Sequence, residues 1–193
     1  MIETHPWAPW IPEGAKVLFL GSFPPPENRW AMDFYYPNRT NDFWKVMGII
    51  FEGSAEAFYD RDRRLYRLDA IHKLLADKGI ALSDAARKVR RQKGNASDKF
   101  LEVVEPVNLV ALVESMPCCR AIAVTGEKAA TVIASLTGTP VPSIGCHVPW
   151  TTPAGKDIAI WRLPSTSRAY PMSPLKKAEA YRLFLRAAGI EGA

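Results

Sequence analysis

The stretch Lys16-Val17-Leu18-Phe19-Leu20-Gly21-Ser22-Phe23-Pro24 is a short apolar run stopped by glycine and then proline. Its length and its breakers read as a buried strand that ends at Gly21. A second apolar run, Ile158-Ala159-Ile160-Trp161, leads into Leu163-Pro164-Ser165-Thr166-Ser167. In open α/β sheets, ligands bind beyond the carboxyl ends of the strands. The first end is followed by Tyr35-Tyr36 and Asn41-Asp42-Phe43-Trp44, and the second carries a hydroxyl-rich turn. Aromatic rings, one amide and hydroxyls at two strand ends predict a pocket for a flat polar ring such as a nucleobase.

Working outward, strands are also expected at Ile80–Leu82 and Ala121–Val124. Helices are expected from Asn41 to about Phe51, over Arg63–Lys78, Asp98–Val104, Asn108–Met116 and Lys128–Leu136, and from Ser173-Pro174 to about Ala188. Serine as N-cap with proline in the first helical position makes the last start well marked. Residues 138–150, thick with glycine and proline, read as loop. Strands alternating with helices predict a three-layer α/β/α sandwich around a central, mainly parallel four-stranded sheet. No internal repeat or linker divides the chain, so residues 1–193 are expected to form one domain, with 1–15 as an irregular N-terminal arm.

At 193 residues, 48% hydrophobic and 23% charged, the composition is that of an ordinary soluble domain with a proper core. No apolar run approaches the roughly 20 residues of a membrane helix, and no basic-then-apolar leader opens the sequence. Three cysteines, two of them the adjacent Cys118 and Cys119, form neither a disulfide framework nor a metal motif. A cytoplasmic monomer that needs neither metal nor cofactor is the expectation.

The net charge of +5 favours a polyanionic partner without proving one. Arg87-Lys88-Val89-Arg90-Arg91-Gln92-Lys93 packs five cations into seven positions, before Gly94-Asn95-Ala96-Ser97. That run reads either as a solvated surface stretch or as a phosphate-gripping loop, with Arg90, Arg91 and Lys93 as its contacts. Tyr36 suits stacking on a base, although core packing is the commoner fate of aromatic residues. Asn41 suits a polar role in the pocket and equally the cap of the following helix. Ser165, Thr166 and Ser167 suit a DNA phosphate or an ordinary hydroxyl turn. Arg168 and Tyr170 at the tip of that turn suit a wedge in the duplex. Gly21-Ser22-Phe23-Pro24 lacks the spacing of a nucleotide-binding glycine loop.

Taken in order, these segments resemble the uracil-DNA glycosylase superfamily, closest to its mismatch-specific and hypoxanthine-DNA glycosylase branches. Gly21-Ser22-Phe23-Pro24 is similar to the first motif of the hypoxanthine branch. Asn41-Asp42-Phe43-Trp44-Lys45-Val46 is similar to the Asn-Arg-Phe-Trp-Lys-Val run of both branches, and Leu163-Pro164-Ser165-Thr166-Ser167 to the second motif. The stretch from Ser83-Asp84 to Asp98 resembles the family's acidic, basic and small-residue connection. Together the matches span about Lys16 to Phe184.

The resemblance implies that Asn41 is the catalytic residue, because Phe23 stands where the mismatch-specific branch keeps its catalytic Asn. It implies that Gly21, Ser22, Phe23 and Tyr36 form the base pocket and that the Ser165–Ser167 turn grips DNA. Asn38-Arg39 replaces the family's usual His-Pro pair. The implied activity is that of a monofunctional DNA glycosylase, which flips hypoxanthine or uracil out of DNA and hydrolyses its N-glycosidic bond. The alternatives are a lesion-recognising DNA-binding module without catalysis, and a hydrolase of small nucleosides or nucleotides.

Overall fold

The structure is a computed structural model that describes residues 1–92 and 100–193. In chain order its strands and helices are β1 (Ile2–Thr4), β2 (Val17–Gly21), α1 (Phe43–Glu52), β3 (Tyr59–Asp60), β4 (Leu65–Tyr66), α2 (Leu68–Lys78), β5 (Ile80–Asp84) and β6 (Ala86–Arg91). There follow β7 (Leu101–Pro106), α3 (Leu109–Glu114), β8 (Ala121–Thr125), α4 (Glu127–Thr137), β9 (His147–Thr151), β10 (Asp157–Leu163) and α5 (Pro174–Ala187).

The central sheet has the order β5-β2-β8-β10-β9. The first four strands run parallel and β9 is antiparallel to β10. Strand β2 shows why the layers form. Val17 and Phe19 face a cluster built with Phe43, Met47, Ile71, Leu75, Tyr181 and Phe184, and so with α1, α2 and α5. Leu18 and Leu20 face the opposite way, onto Leu112, Val113, Ala130 and Ile133 of α3 and α4. A strand buried on both faces must be apolar throughout, as parallel strands are. Among the described residues no helix is long and apolar enough to cross a membrane.

Four departures from expectation have physical reasons. The sheet has five strands rather than four, because residues 147–151 form an edge strand instead of loop. Val148 and Trp150 are half-buried between exposed neighbours, and an edge tolerates Pro149. The helix expected from Arg63 starts only at Leu68. Asp60 Oδ1 accepts from the backbone N–H groups of Asp62 and Arg63, which closes a β3–β4 hairpin instead and leaves Leu65 exposed. Residues 101–106 are strand rather than helix, paired with β6 and crossed by the ion pairs Arg90–Glu102 and Lys88–Glu105. The N-terminal arm is partly regular: β1 pairs with β6, and Trp10 bridges Leu82 on the open edge of β5.

Candidate functional site

The carboxyl ends of β2, β5, β8 and β10 open into one cleft of about 1120 Å³. Gly21, Ser22, Phe23, Tyr36 and Asn41 line it from one side. The loop after β10 supplies Ser165, Thr166, Ser167, Arg168 and Tyr170 from the other. The two distant segments are tied together directly. Asp42 N–H donates to the Thr166 carbonyl at 2.8 Å, just where α1 begins. Lys177, fully buried on α5, donates to Asp42 Oδ2 at 2.8 Å and to the Ser167 carbonyl at 3.0 Å. Tyr181, also on α5, donates to the Pro164 carbonyl at 2.9 Å.

Asn41 lines the cleft just ahead of α1, whose N-cap is Asp42 rather than Asn41. Its Oδ1 accepts from the Phe43 backbone N–H at 2.9 Å, which helps to close the start of α1. Its Nδ2 has no protein hydrogen-bond partner among the described residues. Tyr36 lies flat on Phe43, with ring centroids 3.8 Å apart and planes 6° from parallel. Its hydroxyl meets Thr125 Oγ1 at 3.2 Å. Burial, followed by the nearby Asp84 carboxylate, pushes the Tyr36 hydroxyl far above its ordinary range, so the phenol stays neutral. Tyr36 also has φ +54°, a left-handed conformation that a bulky side chain adopts only when its surroundings over-determine it.

Asp84, at the end of β5, is the acidic group of this cleft that lies closest to the Gly21 motif. It is 6% exposed, and its Oδ2 accepts from His5 Nε2 at 2.9 Å. The other oxygen, Oδ1, fills the space beside Gly21, where an added Cβ would stand only 2.5 Å away. Glycine at position 21 is therefore what allows the carboxylate to reach the cleft. The signal for Asp84 was in the sequence: Ser83-Asp84 follows the apolar Ile80–Leu82 and marks a third strand end. His5 and Lys177 gave no such signal.

The basic run is a strand over 86–91, not a loop, and neither Arg90 nor Arg91 is among the residues that line the cleft. Arg90 forks onto both oxygens of Glu102 at 3.0 Å. Arg91 bonds Glu3 and the Pro24 carbonyl and lies over the Phe23 ring, which buttresses the turn after β2. Lys93 and Gly94 to Ser97 lie outside the described residues. Among the described residues, no three His, Cys, Asp or Glu side chains gather as a metal site.

No protein-family model matches the chain, and no curated protein does. Among solved structures, a solution NMR structure from Methanosarcina acetivorans, provisionally named a uracil DNA glycosylase, matches with a TM-score of 0.65. The match is 22% identical and covers 98% of this chain and 99% of the other. The chain therefore shares, over nearly its full length, the α/β fold of that protein, a mixed central sheet between helical layers.

Proposed function

We propose that the protein is a DNA glycosylase of the uracil-DNA glycosylase superfamily, acting on a deaminated base, hypoxanthine or uracil, flipped out of DNA. One observation carries the reading: two motif segments more than a hundred residues apart meet in one cleft, with an amide donor and a carboxylate between them. The motif resemblance and the shared fold support it further. The hypoxanthine and mismatch-specific branches remain the best matches for the Asn41 segment.

In the proposed reaction the bond between C1′ and the base nitrogen breaks, and its electron pair leaves with the base. The sugar becomes oxocarbenium-like, water adds at C1′, and the water's proton is taken up by a carboxylate. Asn41 Nδ2 donates to the departing base or holds the water, an interaction that strengthens as charge develops. Asp84 faces the cationic sugar and accepts the proton. Tyr36, with one face on Phe43, offers the base its other face, and Phe23 closes the opposite side. Ser165 and Ser167 hold the flanking phosphates, and Arg168 and Tyr170 reach into the duplex.

The test is release of free base from duplex and single-stranded oligonucleotides carrying hypoxanthine or uracil. Asn41→Ala is expected to lower the rate about 100- to 1000-fold, and Asp84→Asn about 100-fold or more. Full activity in Asn41→Ala would overturn this assignment. DNA binding by the wild type without any base release would favour the non-catalytic recognition module.

A further inference from the structure

A second cavity, of about 600 Å³, adjoins the cleft, and Thr40 and Arg168 belong to the walls of both. It is built from three segments: the stretch from Arg39 to Lys45 that leads into α1, the stretch from Ala55 to Tyr66, and the loop from Arg168 to Pro174. That volume suits one small polar molecule with an aromatic part.

Its charges do not cancel. Arg39, Lys45, Arg61 and Arg168 line it, against Asp42 and Glu56. Both carboxylates are already engaged. Asp42 holds Lys177 at 2.8 Å and Lys45 at 3.1 Å, and Glu56 holds Arg61 at 2.8 Å. The Arg61 hydrogen bond keeps the Glu56 carboxyl below its ordinary range, so it stays ionised and occupied. Arg39 and Arg168 are left with no carboxylate partner among the described residues. Arg168 belongs to the wall that the two cavities share, and Arg39 lines the second cavity next to the shared Thr40.

The wall is aromatic. Tyr59 and Tyr66 meet edge to face at 5.2 Å, with Trp44 and Phe58 among the lining residues. Tyr66 donates to the Asn38 carbonyl, whereas the buried Tyr59 hydroxyl has no hydrogen-bond partner. Unpaired guanidinium groups beside tyrosine rings form the combination that binds single-stranded nucleic acid, phosphate on the cations and base on the rings.

We infer that this second cavity takes the nucleotide next to the flipped one, with its phosphate between Arg39 and Arg168 and its base against Tyr59 and Tyr66. The inference rests on the glycosylase reading only in placing a DNA strand in the main cleft.

The test uses a short single-stranded oligonucleotide with 2-aminopurine on either side of a uracil. It follows 2-aminopurine fluorescence, affinity at several salt concentrations, and base release. In the wild type, binding changes the fluorescence of 2-aminopurine on one side of the uracil. Arg39→Ala weakens affinity about tenfold and lowers the slope of log K against log salt by about 0.7. Tyr59→Ala removes the fluorescence change, while Tyr59→Phe, which keeps the ring, keeps it. Unchanged fluorescence in Tyr59→Ala together with an unchanged salt slope in Arg39→Ala overturns the inference, and base release in those same samples leaves the glycosylase reading intact. The expected pattern without base release supports the subsite and removes the glycosylase. Absence of DNA binding, or adenosine monophosphate binding as tightly as the oligonucleotide, also overturns the strand subsite.

Discussion

Replacing Lys177 with methionine tests the clamp that joins the two motif segments. The ammonium is fully buried, and Asp42 is nearly so, with 8% of its side chain exposed. Removing one partner of a buried pair costs about 3–5 kcal/mol, chiefly because the other charge is left without compensation. Here Asp42 keeps Lys45 at 3.1 Å, itself partly solvated, which places the expected loss near the lower end, about 3 kcal/mol. For a chain of this length that corresponds to a fall in melting temperature of about 6–12 °C. Urea unfolding of the wild type, Lys177→Met, Asp42→Asn and the double variant at neutral pH measures it. The double variant should lose less than the sum of the singles by at least about 1 kcal/mol, because each removal spares the other group its unpaired state. A single variant within about 1 kcal/mol of wild type, or a strictly additive cycle, refutes the clamp.

Three further outcomes follow from the geometry. Gly21→Ala puts a Cβ 2.5 Å from Asp84 Oδ1 and must displace a carboxylate that His5 anchors. Base release should fall about 100-fold in a protein that still melts cooperatively, since a shift of about 1 Å suffices for such a loss. His72 stacks on Trp10 at 4.3 Å, and burial holds its folded pKa below the ordinary 6.5. Above that value the ring is neutral folded or unfolded; as pH falls through it, the unfolded chain takes up the proton first and stability is lost. Urea midpoints between about pH 5 and pH 8 should therefore rise more steeply in the wild type than in His72→Gln. Ser173→Ala removes the N-cap of α5, where Oγ accepts from Lys176 N–H at 3.4 Å, and should cost about 0.5–1 kcal/mol by thermal melting.

The central strands were legible because each is buried on both faces, so Val17–Leu20, Ile80–Leu82 and Ala121–Val124 read as unbroken apolar runs. The edge strand His147–Thr151 alternates and contains Pro149, and it read as loop for that reason. Leu101–Pro106 carries its apolar residues at spacings a helix could also use. Its pairing depends on glutamates that meet arginine and lysine across the sheet. Within the candidate site, the Ser165–Ser167 turn was legible as hydroxyls just beyond an apolar run, and Asn41 as a polar residue just ahead of an apolar helix. The groups that hold them were not. The His5–Asp84 contact joins residues 79 positions apart, and Lys177–Asp42 joins residues 135 apart. Local pattern carries no trace of such pairs. Nothing in the sequence around Lys177 sets it apart from the other cations of α5.

The bridge between Trp10 and Leu82 bears on more than the placing of an arm. Strand β5 ends the sheet, and Ile80, Ala81 and Leu82 are fully buried along it. Trp10 both donates to and accepts from the backbone of Leu82, so the arm occupies hydrogen-bonding groups that another strand could otherwise take. The same arm brings His5 to Asp84. Detaching it would release the cleft carboxylate and open a sticky sheet margin in a single event. The anchoring of the cleft carboxylate and the cover of the β5 edge thus both depend on the first ten residues, which contribute no strand to the main sheet.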